Sequence, residues 1–135
     1  MDAPFDKRNS YGWHQDDAYN LLNKGENAIV TWIPMTHVDS KISSLKICKY
    51  SHKAGHLPTI VSKTSTDFST QRIIEDKYLN EYEILDIEAE RGDVLFGHMH
   101  LIHRSGENSS SKIRFTATVG HHKMLTDEYF QKMYP

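Results

Sequence analysis

A mostly β fold, a sandwich, jelly roll or barrel with one or two short helices, is what this sequence predicts. Three observations lead there. Runs of β-type residues bounded by polar turns recur at short intervals, the last of them alternates strictly, and helical periodicity is confined to two brief stretches. The first run, residues 28–33, reads Ala-Ile-Val-Thr-Trp-Ile and stops at Pro34. Residues 44–50 and 82–87 follow, carrying Leu, Ile and Tyr between polar neighbours. Gly92-Asp93 makes a tight turn into the run 93–96, and the polar loop 105–111 leads to the final run, 112–119. There Ile113, Phe115, Ala117 and Val119 share one face, and Arg114, Thr116 and Thr118 share the other. The apolar face is expected to pack in a core and the polar face to line a cavity. The helical stretches are 70–79, with Ile73, Ile74 and Tyr78 at helical spacing, and 126–133, which opens with a Thr-Asp-Glu start. No repeat, low-complexity tract or Pro-rich linker divides the chain, so residues 1–135 are read as one domain.

Composition narrows the class. Of the 135 residues, 38% are hydrophobic, below the roughly 45–50% apolar content of an ordinary globular domain. A short chain with so lean a core calls for a partner, or belongs to something longer. Sixteen Lys and Arg against 18 Asp and Glu give a net charge of −2 without long blocks, so nothing announces nucleic acid or anionic lipid. No apolar stretch approaches the roughly 20 residues of a membrane span, and residues 1–10 are polar, so the cytoplasm is the default compartment. Cys48 is the single cysteine, which excludes an intrachain disulfide and a Cys-based zinc site. It reads as a small core residue. A metal would have to be held by carboxylates and by some of the nine histidines.

One arrangement of those residues carries chemistry. His14-Gln15-Asp16 is a His-x-Asp triplet, and in an extended segment its two ends point to the same side and can reach one ion. His103 is the candidate third ligand. Two His and one carboxylate on one face of an ion leave adjacent positions open, as in non-haem Fe(II) oxygenases. Arg114 stands on the polar face of the last run, where a guanidinium can hold a carboxylate bidentately, which suits the far end of a dicarboxylate co-substrate. His98 and His100 are rival ligands; in a continuous strand they share a face that His103 does not. His52 and Lys53 belong to a turn with a lesser prospect of a substrate role. His122 shares the alternating face of Arg114, and Trp32 divides between core packing and cavity lining.

The ordered set resembles the phytanoyl-CoA dioxygenase-like branch of the Fe(II)/2-oxoglutarate oxygenases. Trp13-His14-Gln15-Asp16 is similar to that family's metal triplet, and Ala28 through Pro34 to the strand whose Trp lies beside the co-substrate. Ser44-Leu45-Lys46 through Ser51-His52-Lys53 is similar to its middle segment. Arg91-Gly92-Asp93-Val94-Leu95-Phe96, then His103, Ser105, Asn108 and Ser110, then Arg114, resemble its distal half. The resemblance implies a double-stranded β-helix, a cupin-like jelly roll. It implies His14, Asp16 and His103 as ligands of Fe(II), and Gln15, Trp32, Ser105 and Arg114 as contacts of 2-oxoglutarate. It further implies consumption of O2 and hydroxylation of an unactivated C–H bond in a small organic substrate, Asp16 standing where related halogenases lack a carboxylate. The alternatives are a non-catalytic or impaired metal-binding jelly roll, and a cupin-type isomerase or lyase; a co-substrate anchor at Arg114 and Ser105 argues against the second.

The sequence departs from the family pattern in three places. Only 13 residues precede His14, where the family carries a long segment with early barrel strands. The expectation is an incomplete jelly roll whose bare faces are covered by a second copy, another polypeptide or a further amino-terminal segment. Lys49-Tyr50 stand where Pro-Gly commonly precedes the Ser-His-Lys segment, which is expected to alter that turn. Ile42-Ser43 replace an Asn-Gly pair.

Overall fold

A computed structural model describes residues 11–19, 28–63 and 70–122. Eight strands are formed: β1 (Ala28–Pro34), β2 (Leu45–Cys48), β3 (Ile60–Lys63), β4 (Thr70–Ile73), β5 (Ile84–Ile87), β6 (Leu95–His98), β7 (His103–Ser105) and β8 (Thr116–His122). Short 3-10 turns cover Asp16–Tyr19, Ser51–Ala54 and Asp76–Tyr78. Two antiparallel three-stranded sheets, in the orders β6-β1-β8 and β5-β2-β7, are the two walls of a jelly roll, and β3-β4 form a separate hairpin. From β5 onward the chain passes from one wall to the other at every strand, which is how a jelly roll winds.

The first wall is held by β1, which pairs along its whole length with β8, from Ala28 opposite His122 to Pro34 opposite Thr116. Its other edge pairs with β6, Ile29 opposite His98 through Trp32 opposite Leu95. Alternation does the rest. Val30 and Trp32 of β1, Leu95 and Gly97 of β6, and Thr116 and Thr118 of β8 face the cavity between the walls. Trp32, Val38 and Leu45 form a buried cluster joining the walls, with Ile47, Ile87, Ala89 and Leu95 against it. A second cluster, Cys48, Ile74, Leu79 and Ile102, lies at the other end under Trp13, Leu57, Tyr78 and Tyr82. Cys48 is thus a core residue; burial pushes its thiol up to about 11.

Three expectations need correction. Residues 70–79 are not a helix: they give β4 and the turn Asp76–Tyr78. The β-branched Thr70, Ile73 and Ile74 follow an extended path because tertiary partners take up the backbone, β3 on one side and the Trp13 carbonyl on the Ile74 N–H at 2.7 Å. Secondly, the polar face of the last alternating run lines the cavity as expected, but the apolar face is not a core. Ile113, Phe115 and Val119 are 44–52% exposed, and Phe96 and Ile29 on the same sheet are exposed with them. No described residue covers this outer face. Thirdly, the turns that replace glycine pairs keep the glycine-type backbone. Ser43 (φ 50) and Tyr50 (φ 63) are the two non-glycine residues at positive φ among the described residues. The expected terminal helix, 126–133, lies outside the described residues. None of the helices in the described residues is long and apolar enough to cross a membrane.

Candidate metal centre

The segment around His14 runs antiparallel to the start of β7. His14 and His103 exchange both backbone hydrogen bonds, N–H to O at 3.0 Å in each direction, so they are directly opposed residues. Direct opposition puts both side chains on the same face, and the imidazole centroids lie 4.3 Å apart. Two residues on from His14, Asp16 returns to that face at the first position of a 3-10 turn. Its Oδ1 is 3.8 Å from His14 Nε2 and 3.6 Å from His103 Nε2. One ligand atom from each of the three lies within 4.8 Å of the others, and among the described residues only this group of His, Cys, Asp and Glu converges so closely.

Hydrogen bonds set which nitrogen of each ring is available. His14 Nδ1 lies 2.8 Å from the Gly12 carbonyl oxygen, and His103 Nδ1 lies 2.8 Å from that of Leu101. A carbonyl can only accept, so both Nδ1 atoms carry the proton and both Nε2 atoms present lone pairs to the shared point. Burial first, and the charge of His103 second, push His14 down to about 4. At neutral pH that imidazole is therefore a lone-pair donor. Two imidazoles and a carboxylate are a donor set for a divalent first-row metal, and the outer carbonyl on each ring is the orienting partner that ligating histidines use. The residues fit such an ion.

Beside this point opens a cavity of about 240 Å³. His14, Asp16 and His103 line it together with Trp32, Ser105 and Arg114. Arg114 is 6% exposed, with its guanidinium carbon 5.7 Å from the centre of the Trp32 ring. A guanidinium on a cavity wall can hold a carboxylate through two parallel hydrogen bonds.

Gln15, expected to contact the co-substrate, does not line the cavity. It is fully buried on the opposite side of the triplet, where its amide donates to the carbonyls of Gly55 and His100 and accepts the N–H of Leu57. The same alternation that turns His14 and Asp16 inward turns Gln15 away. His98 lines the cavity but does not join the cluster of His14, Asp16 and His103, and neither His100 nor His122 lines it. The chain turns between β6 and β7, so the continuous-strand argument does not apply to residues 98–103. Tyr11 also lines the cavity. Its one mark in the sequence is its place three residues before His14.

A profile of the family described as phytanoyl-CoA dioxygenase matches residues 3–116. No curated protein matches the chain. Among solved structures, the carbocyclase SnoK, described as non-heme and alpha-ketoglutarate dependent and from nogalamycin biosynthesis, aligns with a TM-score of 0.68 at 18% identity over 98% of this chain and 53% of that one. EctD from S. alaskensis, solved with 2-oxoglutarate and 5-hydroxyectoine, aligns at 0.67 with 15% identity over 90% of this chain and 40% of that one. The non-heme monooxygenase ThoJ aligns at 0.64 with 23% identity over 84% and 40%. The chain thus spans about half or less of the length of these structures, which share its fold.

Proposed function

Since the chain belongs to the phytanoyl-CoA dioxygenase family, we propose that it is an Fe(II)- and 2-oxoglutarate-dependent oxygenase that hydroxylates a small organic molecule. The observation that carries this reading is the pairing of the two-histidine, one-carboxylate cluster with a buried arginine on the wall of the same cavity. His14, Asp16 and His103 would hold the iron, which when bound supplies O2 activation coupled to oxidative decarboxylation of the keto acid. The chain's own residues supply orientation. The Gly12 and Leu101 carbonyls keep the two imidazoles in the ligating tautomer. Arg114 pairs with the 5-carboxylate of 2-oxoglutarate, and the Ser105 hydroxyl stands on the same cavity wall to share it. Trp32, buried beneath the guanidinium, keeps water from that charge and so strengthens the pairing.

Asp16 favours hydroxyl transfer over halide transfer, because its carboxylate fills the position a halide would need. Hydroxylase is a choice among several outcomes, since the similar folds include an epimerase and a carbocyclase by description. A second reading is a metal-binding module without turnover, since the cluster of His14, Asp16 and His103 is by itself enough to hold an ion. Succinate formation separates the two. With Fe(II), ascorbate and 2-oxoglutarate, the oxygenase releases succinate slowly even without a prime substrate, and Asp16→Ala abolishes the release. Iron binding without succinate would leave the module.

A further inference from the structure

Behind the metal triplet lies a second group of the same composition. Asp17 follows Asp16 but points the other way, into the space beside Gln15, and its side chain is only 2% exposed. Its backbone N–H donates to the Met99 carbonyl at 3.2 Å, which seats it against the turn carrying His100. Oδ2 of Asp17 is 2.8 Å from His56 Nδ1 and 3.4 Å from His100 Nε2. Gln15 builds the surroundings: its amide ties Gly55, Leu57 and His100 together, so the residues on either side of His56 and the backbone of His100 are fixed to one another. His100 Nε2 is fully buried and has no hydrogen-bond partner. An orphaned imidazole nitrogen facing a buried carboxylate is costly unless something binds there.

We propose that Asp17, His56 and His100 form a second metal site for a divalent first-row ion such as Zn(II), separate from the centre at His14, Asp16 and His103. The donors are two imidazoles and one carboxylate, the set that zinc takes with water in a fourth position. Metal–ligand distances of about 2.0–2.2 Å at a tetrahedral angle place neighbouring donor atoms roughly 3.4 Å apart. The His100–Asp17 separation already has that value. The His56 contact is a hydrogen bond at 2.8 Å and must widen. His56 also has to swing inward, since its ring centroid is 6.4 Å from that of His100, against 4.3 Å for His14 and His103. Its side chain is 52% exposed and has the room to do so. The ion would give the His100 nitrogen a partner and pin the loop bearing His56 to the back of the triplet.

The site stands on its own residues and does not depend on the co-substrate reading. The test is zinc stoichiometry in the tag-free, metal-stripped chain, by calorimetry with elemental analysis after gel filtration. The expected result is two Zn(II) per chain. His56→Ala and Asp17→Asn each leave one, His103→Ala leaves the other, and His56→Ala with His103→Ala leaves none. Because even loss of an outer partner of a metal ligand costs about 10–100-fold in affinity, His56→Ala should weaken the second ion by at least about 100-fold. His56 is exposed enough that its replacement leaves the circular dichroism spectrum unchanged. One ion in the wild type and none in His103→Ala would overturn the proposal, leaving Asp17 in an ordinary ion-pair network. So would two ions retained in both His56→Ala and Asp17→Asn.

Discussion

Replacing Tyr50 by glycine and by alanine tests whether the turn before the Ser51–Ala54 segment is strained. Tyr50 has φ 63 and ψ 6, with no side-chain hydrogen bond capping the turn, and is 62% exposed. For a residue with a β-carbon this left-handed conformation costs about 1–2 kcal/mol. The ring offsets a part: Lys53 Nζ lies 4.9 Å and Lys49 Nζ 5.6 Å from its centre, exposed contacts worth about 0.5 kcal/mol together. Tyr50→Gly removes the backbone strain, loses the ring contacts, and adds roughly 0.5–1 kcal/mol of unfolded-state entropy. The net is close to zero, or a gain of about 0.5 kcal/mol. Tyr50→Ala loses the ring and keeps the strain. Glycine should therefore be more stable than alanine at this position by about 1 kcal/mol, the reverse of their order in regular structure. Urea titrations with equal m-values measure the difference directly, and the melting midpoints should separate by about 4 °C. Alanine equal to or better than glycine would refute the argument. Ser43, also at positive φ, should show the same order, with both variants losing the hydroxyl bond to the Gly106 carbonyl at 2.6 Å.

Three further outcomes follow from the site. Arg114→Ala should raise the KM for 2-oxoglutarate at least about 100-fold, because two charge-assisted hydrogen bonds of about 1.5 kcal/mol each are lost from a buried anchor; a change under threefold would place the anchor elsewhere. Gln15→Ala should cost about 3 kcal/mol of stability, one for each of the three backbone groups it satisfies, read from the urea midpoint. His14 has its pKa lowered from 6.5 to about 4, so between those values the unfolded chain takes a proton that the folded chain refuses. Stability of the metal-free protein should thus be complete above pH 6.5 and fall by up to about 3 kcal/mol as pH drops to 4. His14→Gln should flatten that fall.

Much of the site was legible because it is written in alternation. His14 and Asp16 share a face by their spacing, and Arg114, Thr116 and Thr118 share another, and all five line one cavity. The same rule, applied one residue further, would have turned Gln15 away from the cavity. What alternation does not tell is which face of a strand finds a partner. In β8 the apolar face is bare and the polar face lines the cavity, an outcome decided by which elements pack against the sheet. Residues 70–79 depart from their helical spacing for a related reason. Ile73, Ile74 and Tyr78 suit a helix as well as a strand followed by a turn, and the deciding contacts come from hairpin pairing with residues 60–63 and from Trp13, which is far off in the chain. The pairing of His14 with His103 is equally non-local, 89 residues apart, yet both were recognisable because each belongs to a motif. Asp17, His56 and His100 belong to none. Only the fold, through Gln15, brings them together.

The most direct test of the central claim is an anaerobic titration of the chain with Fe(II) and 2-oxoglutarate, followed in the visible spectrum. The expected result is a weak charge-transfer band that needs both components, saturates at one equivalent of iron in the site of His14, Asp16 and His103, and vanishes in His103→Ala. A wild-type chain that shows no band, with metal binding undiminished in His103→Ala, would contradict it.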